Sequence, residues 1–472
     1  MGFVDAVKAY FYKTASMQRI LSNYPLLIIL FLGATLRFYN LGVIPGETFD
    51  EIFYPLYGLN YLSGEKFFSV HPPLGSYLIS LSIYLYYLMP WTDTLASTAF
   101  EIANIDPVSY RWLNATTGSA LILVAYKLSM QLLNQTSFAL LVALFFCLDG
   151  SLLVDSRFGL INIYLSFFGF IAMLFMVKAF KNKDSQSKNI ALSLIFLGLT
   201  ISVKWNGLGF WGVGLASLIL IFLLSKINSS MKKNTAMVSA EERLKNLPLM
   251  ALLIVPFFVY ALVWIPDFIF MDQFSYSEKH QQMAAFHSNN LEESPHPYRS
   301  AWYTWPVMMK PVGYYFAAND VLLPDGAKQA VFTNVHLFPN PALYLFSLLA
   351  IVVMTLAWIR GGYEAIVTKS YTSEFLVTSF ILIGFYGNLL PWALVSRSLF
   401  LYHYQPASGF AFLALGFLLY KATLQRSKTI GFLYRGALIL IIAAAIYWLP
   451  FQLGLDIERD RFYQMMWSKA WI

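Results

Sequence analysis

Long apolar runs separated by short charged segments extend along almost the whole chain. A helix needs about 20 mostly apolar residues to cross the hydrocarbon of a bilayer. Runs of this kind fall at roughly 24–38, 112–133, 137–154, 160–180, 190–203, 205–224 and 249–270, and again at 341–359, 375–395, 406–420 and 430–449. The pattern predicts an all-α polytopic membrane protein with about eleven transmembrane helices. Residues 77–90 are apolar but short, rich in Tyr, and bounded by Pro72-Pro73 and Pro90. That length fits an interfacial element better than a span.

Charge decides orientation. With 77–90 outside the hydrocarbon and the N-terminus inside, three basic clusters fall in the cytoplasm. They are Lys178/Lys181/Lys183/Lys188, Lys226/Lys232/Lys233/Arg243/Lys245 and Lys421/Arg426/Lys428. Counting 77–90 as a span would put all three outside, against the positive-inside rule. The first residues carry Lys8, Lys13 and Arg19 but no small-residue cleavage site, so they read as an uncleaved cytoplasmic start. The expected organisation is an N-terminal transmembrane module, 1–270, containing a first external loop, 41–110. A long external loop, 271–340, follows, then a C-terminal module, 341–472, ending outside the cell membrane. Interfacial helices are expected in both long loops.

Composition agrees: 58% of the residues are hydrophobic and only 12% charged, against about 25% in a soluble domain. The net charge of +7 could suggest nucleic acid. However, Lys and Arg sit in short segments between apolar runs, so membrane lipids are the expected neighbours and no nucleic acid is. The lone Cys147 lies inside an apolar run and reads as a small buried residue.

The candidate chemistry gathers on the external side. Gly46-Glu47-Thr48-Phe49-Asp50-Glu51 opens the first loop with adjacent carboxylates between aromatics. Such a pair caps a helix N-terminus. It could equally supply a base that takes a proton from an acceptor hydroxyl, with its neighbour as partner. The sequence leaves both open. His71-Pro72-Pro73-Leu74-Gly75 could hold His71 rigidly towards a phosphate or start a helix. Arg157, Lys204 and Arg397, with His403 and Tyr404, lie at outer span ends, where cations neutralise a lipid phosphate or simply snorkel. His296, Tyr298, Arg299, Trp302 and Trp305 form an aromatic tract in the long loop, suited to sugar stacking or headgroup anchoring. His280 and His287, seven apart on one helix face, lack the companions of a metal site. Asp50-Glu51 could hold a divalent cation, but cationic side chains neutralise phosphate without one. No metal or other cofactor is expected.

The ordered series Phe49-Asp50-Glu51, His71-Pro72-Pro73-Leu74-Gly75, Leu148-Asp149-Gly150 with Ser156-Arg157, Ser202 to Gly207, His296-Pro297-Tyr298 and Tyr402-His403-Tyr404 resembles the protein O-mannosyltransferase family. The likeness covers nearly the whole chain. It implies a GT-C glycosyltransferase fold and an inverting transfer of mannose from a polyprenyl-phosphate donor to Ser or Thr of an exported polypeptide on the outer face. It also implies Asp50 as base, Glu51 as its partner, and Arg157, Lys204 and Arg397 at the lipid phosphate. The protein translocation machinery is a further implied partner. The chain departs from the family pattern at Ser76, usually Lys, at Asn162, usually Asp, and at Gln405, usually apolar. Segment 271–340 is too short for the soluble domain of eukaryotic members.

Two other readings stay open. One keeps the donor and changes the acceptor to a lipid or cell-wall glycan. The other is a transporter or flippase, which would call for internal repeats and charges near the bilayer midplane.

Overall fold

Helices occupy every segment where a span is expected. The computed structural model describes residues 24–46, 48–93, 95, 101–182, 184–228, 249–271, 274–289, 296–322 and 328–472. Lys8, Lys13, Arg19, Lys183, Lys232, Lys233, Arg243 and Lys245, used above for orientation, lie outside those residues. The first helix, α1, is Tyr24–Phe38. Then come α2 (Tyr54–Ser63), α3 (Leu74–Tyr87), α4 (Pro107–Leu133), α5 (Thr136–Leu148), α6 (Gly150–Asp155), α7 (Asn162–Lys181), α8 (Gln186–Val203) and α9 (Leu208–Asn228). The second half holds α10 (Leu249–Val263), α11 (Ile265–Met271), α12 (Tyr276–Asn289), α13 (Pro341–Thr368), α14 (Ser373–Leu389), α15 (Gln405–Thr423), α16 (Lys428–Leu453) and α17 (Arg459–Met465).

Among the described residues, eight helical stretches are long and apolar enough to cross a membrane, and α1 and α5 are shorter apolar helices. Helix α4 has 27 residues, but Asn114, Thr117 and Arg111 lower its hydropathy, and they are buried inside the bundle. The expected span over 137–154 is broken. Asp149 ends α5 and caps α6, accepting from the Leu152 N–H at 3.0 Å. The apolar exterior is what lipid requires. Phe31 on α1, Leu356 on α13 and Ile439 on α16 are each about two-thirds exposed or more, at 75%, 64% and 65%.

The interior is close-packed aromatic. Phe138, Phe146, Phe170 and Phe410 are fully buried, and glycines let helices approach. A Cβ at Gly409 of α15 would stand 2.3 Å from the Phe170 ring of α7, so no larger residue fits that crossing. The 14-residue α3 packs on α2 and α4.

The long segment 271–340 differs from expectation. It contains α12, but then a hairpin of β1 (Val312–Leu322) and β2 (Lys328–Leu337), extended by β3 (Asp456–Glu458) from the C-terminal tail, in the order β1-β2-β3. The run Val312–Phe316 is aromatic and β-branched, as strands favour. Its signal is masked by the surrounding Trp and Tyr density, which resembles an interfacial belt.

Candidate active site

The first loop, segment 271–340 and the turn before α15 meet at one end of the bundle. Phe49 is the pivot. Its ring stacks on Tyr314 of β1 (centroids 4.6 Å apart, planes 5° off) and meets His296, Phe400 and Tyr402 edge-on. Its φ of 55° is left-handed, a conformation costing about 1–2 kcal/mol for a side chain of this size. The stack on Tyr314 holds it there and so fixes the direction of Asp50, the next residue.

Asp50 and Glu51 part company. Glu51 is fully buried and accepts from both nitrogens of the Arg111 fork, Nε at 2.8 Å and Nη2 at 2.7 Å. The N–H groups of Gly159 (2.6 Å) and Thr48 (3.2 Å) complete its shell. Arg111 in turn donates to the carbonyls of Leu41, Ile44 and Gly46. All four of these bonds hold Glu51 in place, tying the first loop to α4 and to the turn after α6. Asp50 instead is half-buried, with its carboxyl pushed up to about 6. Burial is the main cause; Lys204 and Arg397 pull it back, and Asp155 pushes it further.

Lys204 caps α8 and is 4% exposed. Its ammonium donates to Asn162 Oδ1 at 2.7 Å and lies over the Tyr54 and Tyr402 rings at 5.8 and 5.5 Å. Burial lowers it to about 8, against the opposing pull of Asp50 and Asp155. Arg397 comes within 3.5 Å of His403 Nε2. Behind His403 the fully buried Trp305 stacks at 6.0 Å, its indole N–H bonded to Ser300. Trp305 is therefore a support for His403 and neither a headgroup anchor nor an exposed sugar platform.

These cations face a cavity of about 720 Å³ lined by His71, Lys204, Trp205, His287, Arg397 and His403, and further along by Gly209, Gly212, Trp211 and Leu394. His71 stacks on Tyr54 and on His287 of α12. His287 is tied by Nε2 to the Val70 carbonyl at 3.0 Å. Burial and the neighbouring cations hold His71 well below the usual imidazole range and His287 at about 4. Among the described residues, no three His, Cys, Asp or Glu side chains gather as a metal set.

Other sequence candidates lie elsewhere. Arg157 is 3% exposed and donates to the carbonyls of Leu36, Arg37 and Tyr39, so it caps the end of α1 and its fork does not line the cavity. Tyr404 is buried against Tyr344 and Phe385. His296 and Tyr298 border the pivot, where the Tyr298 N–H donates to His296 Nδ1. Trp302 is half-buried, whereas Arg299 is exposed. Residue reading missed Arg111, Asp155 and Tyr314. Arg111 and Tyr314 lack a neighbouring motif, whereas Asp155 directly precedes the Ser156-Arg157 tract.

The fold has solved counterparts. The protein O-mannosyltransferase Pmt1-Pmt2 complex of S. cerevisiae, bound to the sugar donor, superposes with a TM-score of 0.78 at 15% identity, covering 95% of this chain and 92% of that one. The archaeal oligosaccharyltransferase AglB from Archaeoglobus fulgidus gives 0.53 at 13%, covering 93% of this chain and 56% of its own. The architecture is that of a GT-C glycosyltransferase.

Sequence narrows the class. Residues 27–274 match the dolichyl-phosphate-mannose-protein mannosyltransferase family, and 270–471 match the C-terminal four-helix region of protein O-mannosyltransferases. A polyprenol-phosphate-mannose–protein mannosyltransferase of Mycolicibacterium smegmatis is 23% identical over 94% of this chain and 92% of its own length. A dolichyl-phosphate-mannose–protein mannosyltransferase of Saccharomyces cerevisiae is 31% identical over 40% of this chain and 26% of its own. The chain belongs to the dolichyl-phosphate-mannose-protein mannosyltransferase family.

Proposed function

We propose that this protein moves mannose from a polyprenyl-phosphate carrier to a Ser or Thr hydroxyl of an exported polypeptide, on the outer face of the membrane. Asp50 takes the hydroxyl proton as the acceptor oxygen bonds to C1 of the sugar, and the C1–O bond to the phosphate breaks. The phosphate leaves with its charge met by Lys204 and Arg397, so no metal is required. The neutral His71, His287 and His403 rings wall the phosphate region, and the apolar continuation of the cavity past Gly209 and Gly212 takes the lipid.

The observation that carries this reading is the coupling of a half-buried carboxyl near 6 to a buried ammonium near 8 that itself lines the cavity. A base poised near working pH and a cation beside the leaving group are what acceptor activation and phosphate departure need. A general base contributes about 10²–10⁴ in rate.

The test is transfer by the purified protein from synthetic polyprenyl-phosphate-mannose to a Ser/Thr peptide, with the modified residue located by mass spectrometry. A mannosyl-Ser or mannosyl-Thr product supports the reading; donor turnover only onto glycan or lipid acceptors contradicts it. The outer-face assignment is tested separately by Val43→Cys. Val43 is exposed in the first loop and the native Cys147 is buried. Labelling of intact cells by an impermeant maleimide is expected, and labelling only after lysis would reverse the orientation.

A further inference from the structure

Asp155 is a fully buried carboxylate with no salt-bridge partner among the described residues. An isolated buried charge is costly unless neutral donors surround it. Three do. Tyr314 donates its hydroxyl to Oδ1 at 2.9 Å, Gln405 its amide to Oδ2 at 3.0 Å, and Asn162 a further bond. Two of these lead directly to the reacting groups. The Asn162 amide accepts from the Lys204 ammonium through its oxygen while donating to Asp155. The Tyr314 ring is the one stacked on Phe49, next to Asp50. Gln405 is itself anchored to Ser151, through both the carbonyl and the hydroxyl.

We propose that Asp155 is the positioning acid of this site, holding Lys204 through the Asn162 amide and Asp50 through the Tyr314–Phe49 stack. The proposal rests on the reading of Asp50 as base and Lys204 as phosphate cation, and adds the group that sets both. The carboxylate touches neither sugar nor phosphate. The ammonium, a donor only, takes the Asn162 oxygen, and the carboxylate on the amide-nitrogen side reinforces that orientation. The negative charge also acts on both titrating groups in the same direction, since it favours a charged ammonium and disfavours a charged neighbouring carboxylate. The charged and titratable groups around it are Lys204, Asp50, Tyr314, Tyr402 and Tyr54. Lys204 and Asp50 are the two of these that change charge near neutrality.

The experiment is the pH profile of kcat/KM for the full-length enzyme in lipid nanodiscs, with polyprenyl-phosphate-mannose and a Ser/Thr peptide. Four forms are compared: wild type, Asp155→Asn, Asn162→Asp, and the Asp155→Asn/Asn162→Asp double variant. Removing the charge in Asp155→Asn is expected to move both limbs to lower pH by about one pH unit. At pH 8 this alone lowers kcat/KM about fivefold through loss of the charged ammonium. Asn162→Asp adds an anion beside Lys204 and is expected to move both limbs up. The double variant returns the acid to the same triad and is expected to restore the wild-type limbs. A purely structural Asp155 would lower activity without moving either limb.

Limbs that stay in place in Asp155→Asn, or a double variant no better than that single one, overturn the proposal. If Asp155→Asn is not recovered folded, Asn162→Asp alone decides, and an unmoved profile in it is equally fatal. Absence of any transfer by the wild type instead removes the functional reading beneath.

Discussion

Glu51 grips Arg111 through both carboxylate oxygens, at 2.7 and 2.8 Å, with neither side chain exposed. The adjacent acid, Asp50, is thereby left to face the site from a loop whose own carbonyls are tied to the same guanidinium. Under the proposed function the two neighbours divide the work: one builds the loop and the other serves as the base.

That division predicts opposite stability effects. Glu51→Ala leaves Arg111 buried and unpaired and should cost about 3–5 kcal/mol. Asp50→Asn removes a charge that burial already disfavours and should leave stability unchanged or slightly raised. Thermal unfolding of the detergent-solubilised variants reads both.

The pH dependence follows from signs. A carboxyl held near 6 is the active base only above that value, so activity is lost as pH falls through about 6. An ammonium held near 8 carries charge only below that value, so the other limb falls as pH rises through about 8. The free enzyme's kcat/KM should therefore be bell-shaped between them. In kcat the upper limb should move to higher pH, because a bound phosphate favours the charged lysine. Profiles over pH 5–9 measure both limbs.

Lys204→Ala should raise the donor KM by roughly 10- to 150-fold, the worth of one charge-assisted contact of about 1.5–3 kcal/mol. Arg397→Ala should act in the same direction. The peptide KM should stay near wild type in both. Exhaustive chelation should leave the rate unchanged, since these side chains supply the charge.

Arg157→Ala is expected to behave differently. Its fork is committed to three carbonyls at the end of α1. The loss should appear as about 1–3 kcal/mol of stability, with the donor KM of the folded fraction unchanged. A donor KM raised tenfold would return Arg157 to the phosphate site that its motif suggested.

Much of this architecture was legible because apolar runs and basic turns report a membrane fold directly. The helices stand where the runs fall, and most of 77–90 lies in the 14-residue α3. The site was half legible. Lys204, Arg397 and His403 announce themselves as polar groups at outer span ends, Asp50 and His71 as polar groups of the first external loop, and all five converge on one end of the bundle. Arg157 looked the same by that criterion, since sequence cannot tell a cation aimed at carbonyls from one aimed at a cavity. Asp155 and Tyr314 were missed because their meaning is tertiary: 159 positions separate them in the chain. The hairpin carrying Tyr314 lay hidden in an aromatic tract that reads as interface.

Single-turnover transfer by Asp50→Asn, with donor binding measured on the same preparation, isolates the proton-abstraction step assigned to that carboxyl. With Asp50 as base, the rate should fall by about 10²–10⁴ while donor affinity is retained. A folded Asp50→Asn enzyme that transfers mannose at nearly the wild-type rate would contradict it.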